Sequence, residues 1–100
     1  MLKNLRTYQL AVQFHKTGKL FSVPSYLRDQ WLRASSSIVL NVAEGYGKPT
    51  SKDRARFYSI ALGSLRECQG ILDLSEKPAA SLVDMADHLG GALYKLIRLT

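Results

Sequence analysis

Cysteine is nearly missing from this chain: Cys68 stands alone among 100 residues, so no internal disulfide can form. No run of about 18 apolar residues exists, which argues against a membrane-spanning helix. The N-terminal stretch MLKNLRTYQLAVQFHK scatters Lys3, Arg6 and Gln9 where a secretory signal would be continuously apolar. The expectation is a cytoplasmic protein without a membrane partner. Histidine occurs only as His15 and His88, on separate segments and away from Cys68, and Glu-x-x-His pairs are missing, so no metal site is expected. Asp84 and His88, one helical turn apart, read as an exposed ion pair. Ser35, Ser36, Ser37 and Ser64 have no Ser–His–acid arrangement or nucleophile elbow around them. The reading is therefore of a protein that is not an enzyme, with no cofactor and no small-molecule substrate.

Acidic residues are scarce in one half. None precedes Asp29, and residues 1–56 carry ten Lys or Arg against Asp29, Glu44 and Asp53, whereas residues 57–100 carry four against five. A second basic cluster, Lys48, Lys52, Arg54 and Arg56, follows the middle of the chain. With Lys3 and Arg6 it forms the candidate nucleic-acid-binding set, because polyanions release counterions when their phosphates are neutralised. A solvated face with spare lysines is the competing reading of the same charge.

What is present is helical. One hundred residues make one domain able to bury roughly 60–65% of its unfolded surface, and 46% apolar content suits a globular chain. The first segment, about Asn4 to Thr17, has Leu5, Tyr8, Val12 and His15 at helical spacing, with Leu10 and Phe14 on an adjacent line and Gly18 as a stop. Pro24 suits the first turn of a second helix continuing to about Gly45. Leu27, Trp31, Ala34, Ile38 and Val42 form its core row. A third helix runs from about Lys52 to Leu74, with Thr50 or Ser51 as cap. Its Gly63 and Gly70 suggest a closely approaching helix, since each costs about 1 kcal/mol against alanine. Pro78 opens a fourth helix whose seam is Leu82, Met85, Leu89, Leu93, Leu96 and Leu99. Short connections between four helices predict an all-α, up-down-up-down four-helix bundle.

Helix 2 carries an anomaly. At 100° per residue, Gln30, Arg33, Ser37, Asn41 and Glu44 fall within about 60–80° of one another and form a polar stripe on an otherwise apolar helix. The expectation is a structural motif, with Arg33 and Glu44 tied to the third helix through Glu67 and Arg66; a ligand groove is the alternative. Gly45-Tyr46-Gly47-Lys48 resembles a fragment of a phosphate loop, but it follows a helix and reads as a helix stop.

The pattern Leu27-x-x-Gln30-x-x-Arg33-Ala34-x-x-Ser37-Ile38-x-x-Asn41-x-Ala43-Glu44-Gly45, then Lys48, Ser51, Phe57, Ile60-Ala61-x-Gly63-Ser64-Leu65-x-Glu67, resembles the bacterial four-helix bundle proteins named after 23S rRNA intervening sequences. That family is related to accessory proteins of diversity-generating retroelements. The resemblance implies a ring-like homopentamer and a basic surface that engages RNA or DNA. A protein-assembly adaptor without nucleic-acid binding is the alternative function. Departures from the family pattern are Arg54 in place of an apolar or aromatic residue, Tyr58 in place of leucine, and a short fourth helix.

Overall fold

The computed structural model describes every residue from Met1 to Thr100 and contains four α-helices and no strand. They are α1 (Arg6–Lys19), α2 (Arg28–Tyr46), α3 (Ser51–Leu74) and α4 (Ala80–Leu99), with single 3-10 turns at Leu2–Asn4 and Ser25–Leu27. Each helix packs on two neighbours in the order α1, α2, α3, α4 and back to α1, with α2 against α3 the most extensive pairing. Residues in contact run in opposite senses along every pair, as with His15 beside Ser35 and Ser37 beside Ser64. The result is an up-down-up-down bundle, 41 Å long and 21 by 20 Å across.

The core is a single cluster built around Trp31, Phe14, Ile38, Leu65, Leu82, Leu89 and Leu93, all fully buried. Along α1 the buried residues are Thr7, Ala11, Phe14 and Gly18, at steps of four, three and four. The inward line thus lies one residue off the larger apolar series expected from Leu5, Tyr8, Val12 and His15, which flanks the core half-buried. The cause is Trp31. Its ring needs the small side chains of α1 opposite it, and its indole N–H donates to the Gly18 carbonyl at 2.8 Å.

Gly18 therefore does not stop α1. The helix runs one residue past it to Lys19, and no residue in the chain has positive φ. A Cβ on Gly18 would lie 2.8 Å from Trp31 Cζ2, which is why glycine stands there. Gly45, expected as the end of α2, is buried within it for the same reason: a Cβ would sit 2.8 Å from the Tyr58 ring. This also accounts for Tyr58 in place of leucine, since its flat ring slides over a bare backbone.

The connections depart from expectation where proline predicts a first turn. Pro24 caps the Ser25–Leu27 turn with extended backbone, and α2 begins at Arg28. The Arg28 guanidinium donates to the carbonyls of Phe21 (2.7 Å) and Lys19, clamping the α1–α2 connector. Pro78 likewise precedes α4, whose cap is Ala79. Thr50 caps α3, its hydroxyl accepting the Asp53 N–H at 3.2 Å. With 20 residues, α4 is longer than α1, which has 14, so the fourth helix is not short. Gly63 and Gly70 face outward. A methyl group on either would meet nothing within 4 Å, so no helix of the protomer approaches them.

Candidate nucleic-acid interface

Helix direction decides where the charge goes. The N-termini of α1 and α3 share one end of the bundle with the C-termini of α2 and α4. Within about two turns of that end lie Lys3, Arg6, Lys48, Lys52, Arg54 and Arg56, joined by Lys95 and Arg98 from α4. Only Glu44 and Asp53 oppose them. Elsewhere six cationic residues face six acids, so the whole formal charge of +6 resides at one end.

The α2–α3 turn uses some of this charge internally. Lys48 Nζ pairs with the Glu44 carboxylate at 3.1 Å and stands 5.1 Å from the Phe57 ring centroid. Arg56 stacks over the same ring at 4.4 Å and approaches Asp53 at 4.0 Å. Arg54 donates to the Lys48 carbonyl at 3.0 Å and to Ser51 Oγ at 3.1 Å. That gives Arg54 a structural task and explains a cation where the related proteins carry an apolar residue: the aliphatic stem packs while the head ties the turn. Lys3, Arg6 and Lys52 are exposed and form no ion pair.

The sequence alone hides Lys95 and Arg98, because their half of the chain is slightly acidic. Only the antiparallel course of α4 brings them beside Arg6. Tyr94, 57% exposed, stands next to them with the Arg98 guanidinium 5.7 Å from its ring centroid.

The polar stripe borders solvent rather than the core. Ser37 Oγ and Ser64 Oγ share a 2.9 Å hydrogen bond between α2 and α3, and Asn41 Nδ2 donates to the Ser37 carbonyl at 2.9 Å and hydroxyl at 3.0 Å. The charged ends of the stripe do not make the expected ties. Glu44 pairs with Lys48, and Arg66 donates to Gln69 Oε1 at 2.9 Å. Arg33 and Glu67 line the same shallow groove of about 340 Å³ with Gln30, Ser37 and Ser64, but form no ion pair. The reason is angular: the stripe lies well to the side of the direction set by Trp31, Ile38 and Val42, so its long side chains reach water.

The remaining reactive groups are occupied or sequestered. His15 Nδ1 is 2.7 Å from Ser35 Oγ, and burial, followed by the Lys19 charge, holds its pKa below the usual value of 6.5. His88 Nδ1 hydrogen-bonds the Asp84 carbonyl at 2.9 Å, so the expected carboxylate pair is a backbone bond. Burial, with Glu67 adding to it, pushes the Cys68 thiol up to about 12. No group of three or more His, Cys, Asp or Glu side chains is placed to hold a metal ion, and no helix is long and apolar enough to cross a membrane.

Fold and surface together define an all-α four-helix bundle with one strongly basic end. The chain belongs to the family described as 23S rRNA-intervening sequence protein, which it matches over residues 3–97. No curated protein matches it.

Proposed function

We propose that this protein is a non-enzymatic, homo-oligomeric binding module of the cytoplasm that holds nucleic-acid backbone at the basic end of its bundle. The gathering of the entire net charge at that end carries the reading. A dispersed surplus would serve solubility equally well; a concentrated one attracts polyanions. The family description, with its reference to 23S rRNA, agrees with an RNA-linked role.

The oligomer is proposed as a five-membered ring, following the family resemblance. The flank of α2 and α3 supports assembly: Leu40 and Ile60 are 65% and 42% exposed there, and Arg33 and Glu67 offer opposite charges with no partner in the protomer. Five copies would present a charge of about +30.

Binding of a mixed-sequence RNA measured between about 50 and 200 mM salt tests the first part. The affinity should fall steeply, with a log–log slope of about −0.7 per neutralised phosphate of a single strand. A flat response refutes it. Solution mass tests the ring: Leu40→Asp should yield protomers that keep their helical spectrum. The exposed Leu40 and Ile60 also fit an adaptor that grips another polypeptide. Recovery of a stoichiometric protein partner after nuclease treatment, together with salt-insensitive RNA binding, would favour that second reading.

A further inference from the structure

The outer face of α4 carries an opening that the charge alone does not explain. Gly91 leaves a notch there: a Cβ at that position would meet nothing within 4 Å. The notch separates two shallow depressions. One, of about 390 Å³, lies between α1 and α4 and is bordered by Arg6, Thr7, Lys95, Leu96 and Leu99. The other, of about 380 Å³, lies on the outer surface of α4 and is bordered by Tyr94, Lys95, Arg98 and Leu99. Gly91 and Lys95 are common to both.

Each component has an ordinary explanation by itself. Lys95 and Arg98 sit where cations suit the negative end of a helix, and a single exposed tyrosine is unremarkable on a surface. Those explanations leave the glycine unaccounted for. In an exposed helix interior it costs about 1 kcal/mol relative to alanine, and no packing contact in the protomer needs it. Its effect is to expose one side of Tyr94 three residues on, and to open a path between Lys95 and Arg6. Asp87, the nearest acid on α4, lies on the other flank with Gln69 and Asp73.

From this we infer that the Gly91 notch is a binding site for single-stranded nucleic acid, with an unpaired base stacked on Tyr94 and the adjoining phosphates held by Arg6, Lys95 and Arg98. The inference rests on the reading of the basic end as a nucleic-acid interface and narrows it to single strands. A duplex keeps its bases stacked on one another, so their faces cannot reach a side chain lying flat on a helix surface. In an unpaired strand every base has a free face, and stacking on an aromatic ring tolerates any sequence. Phosphates and base faces are common to RNA and DNA, so both are accommodated.

The test uses the full chain and three labelled probes: a mixed-sequence 20-nucleotide RNA without self-complementarity, the same sequence as a duplex, and inorganic polyphosphate of similar charge. Wild type should bind the single strand more tightly than the duplex. Tyr94→Ala should weaken single-strand binding by about tenfold, within the range found for loss of one base–aromatic stack, and leave polyphosphate binding and the salt slope unchanged. Gly91→Gln should weaken it similarly while the protein stays folded, because the new side chain enters open space and glutamine favours helix. Lys95→Gln should reduce the salt slope by about 0.7 without altering the single-strand preference.

If wild type binds all three probes with steep salt dependence but Tyr94→Ala and Gly91→Gln change nothing, the notch is refuted and the basic-end reading stands. If no probe binds in a salt-dependent way, the basic-end reading itself fails. A change in solution mass on Gly91→Gln would make the notch a contact between copies, and that too overturns the proposal.

Discussion

Replacing Gly18 by alanine should destabilise the protein, although alanine is the better helix former. A Cβ at residue 18 would fall 2.8 Å from Trp31 Cζ2 and 3.3 Å from both Cε2 and Nε1. The indole cannot move aside freely. It is fully buried, with ring centroids 5.8 Å from Phe14 and 5.9 Å from Phe21. Its N–H is bonded to the carbonyl of the residue being changed. Forcing a methyl group into such a contact costs about 1–3 kcal/mol, and distorting the buried hydrogen bond adds about 1 kcal/mol. Improved helix propensity returns up to about 1 kcal/mol, leaving a net loss of about 1–3 kcal/mol. For a 100-residue domain this lowers Tm by roughly 5–20 °C. Trp31 is the sole tryptophan, so urea unfolding followed by its fluorescence reads the same site that is perturbed, with far-UV circular dichroism as a second probe. The control is Gly91→Ala, where no atom opposes the methyl and stability should rise. Equal stabilisation by both substitutions would refute the packing argument and return Gly18 to an ordinary helix position.

Stability should also fall in mild acid. The folded pKa of His15 is below 6.5, so between that value and 6.5 the unfolded chain binds more protons; stability is full above this window and declines as pH drops through it, and His15→Gln should flatten that decline in pH-dependent Tm measurements. Thr50→Ala removes the hydroxyl that accepts the Asp53 N–H and should cost about 1 kcal/mol by urea titration. Cys68 is buried and its thiol is pushed up to about 12, so a thiol reagent at pH 8 should label it only as fast as the protein opens, with full reactivity in denaturant. Raising ionic strength from about 10 to 150 mM shortens the Debye length from about 30 to 8 Å; the basic end is about 20 Å across, so screening its self-repulsion should raise Tm, and a fall would contradict the charge placement.

Helix number, order and antiparallel course are legible in the sequence because each rests on periodicity that no tertiary contact overrides. The core row of α2 appears in the structure as Trp31, Ala34, Ile38 and Val42. The departures share a cause. Local backbone chemistry makes glycine and proline helix stops and first turns, while the fold uses Gly18 and Gly45 to admit aromatic rings from other helices. A sequence shows that a glycine is present; it does not show which ring lies above it. The inward face of α1 differs by one residue from its apolar periodicity for the same reason, since the partner that prefers Ala11 and Gly18 to larger side chains lies in α2.

The interface is half legible, and the missing half follows from topology. Charge counted along the chain divides a basic first part from a slightly acidic second part, which hides Lys95 and Arg98. Charge counted along the bundle axis divides differently, because an up-down course folds the last turns of α4 back beside the first turns of α1. Four helices of similar length return the chain to its starting end, so any cations at both termini and at the central α2–α3 turn must converge. Convergence has a cost in mutual repulsion, which the fold offsets only near the α2–α3 turn, through Glu44, Asp53 and the Phe57 ring. At the α1–α4 side no acid performs that role, and Arg6, Lys95 and Arg98 keep their charge for a ligand that brings its own phosphates.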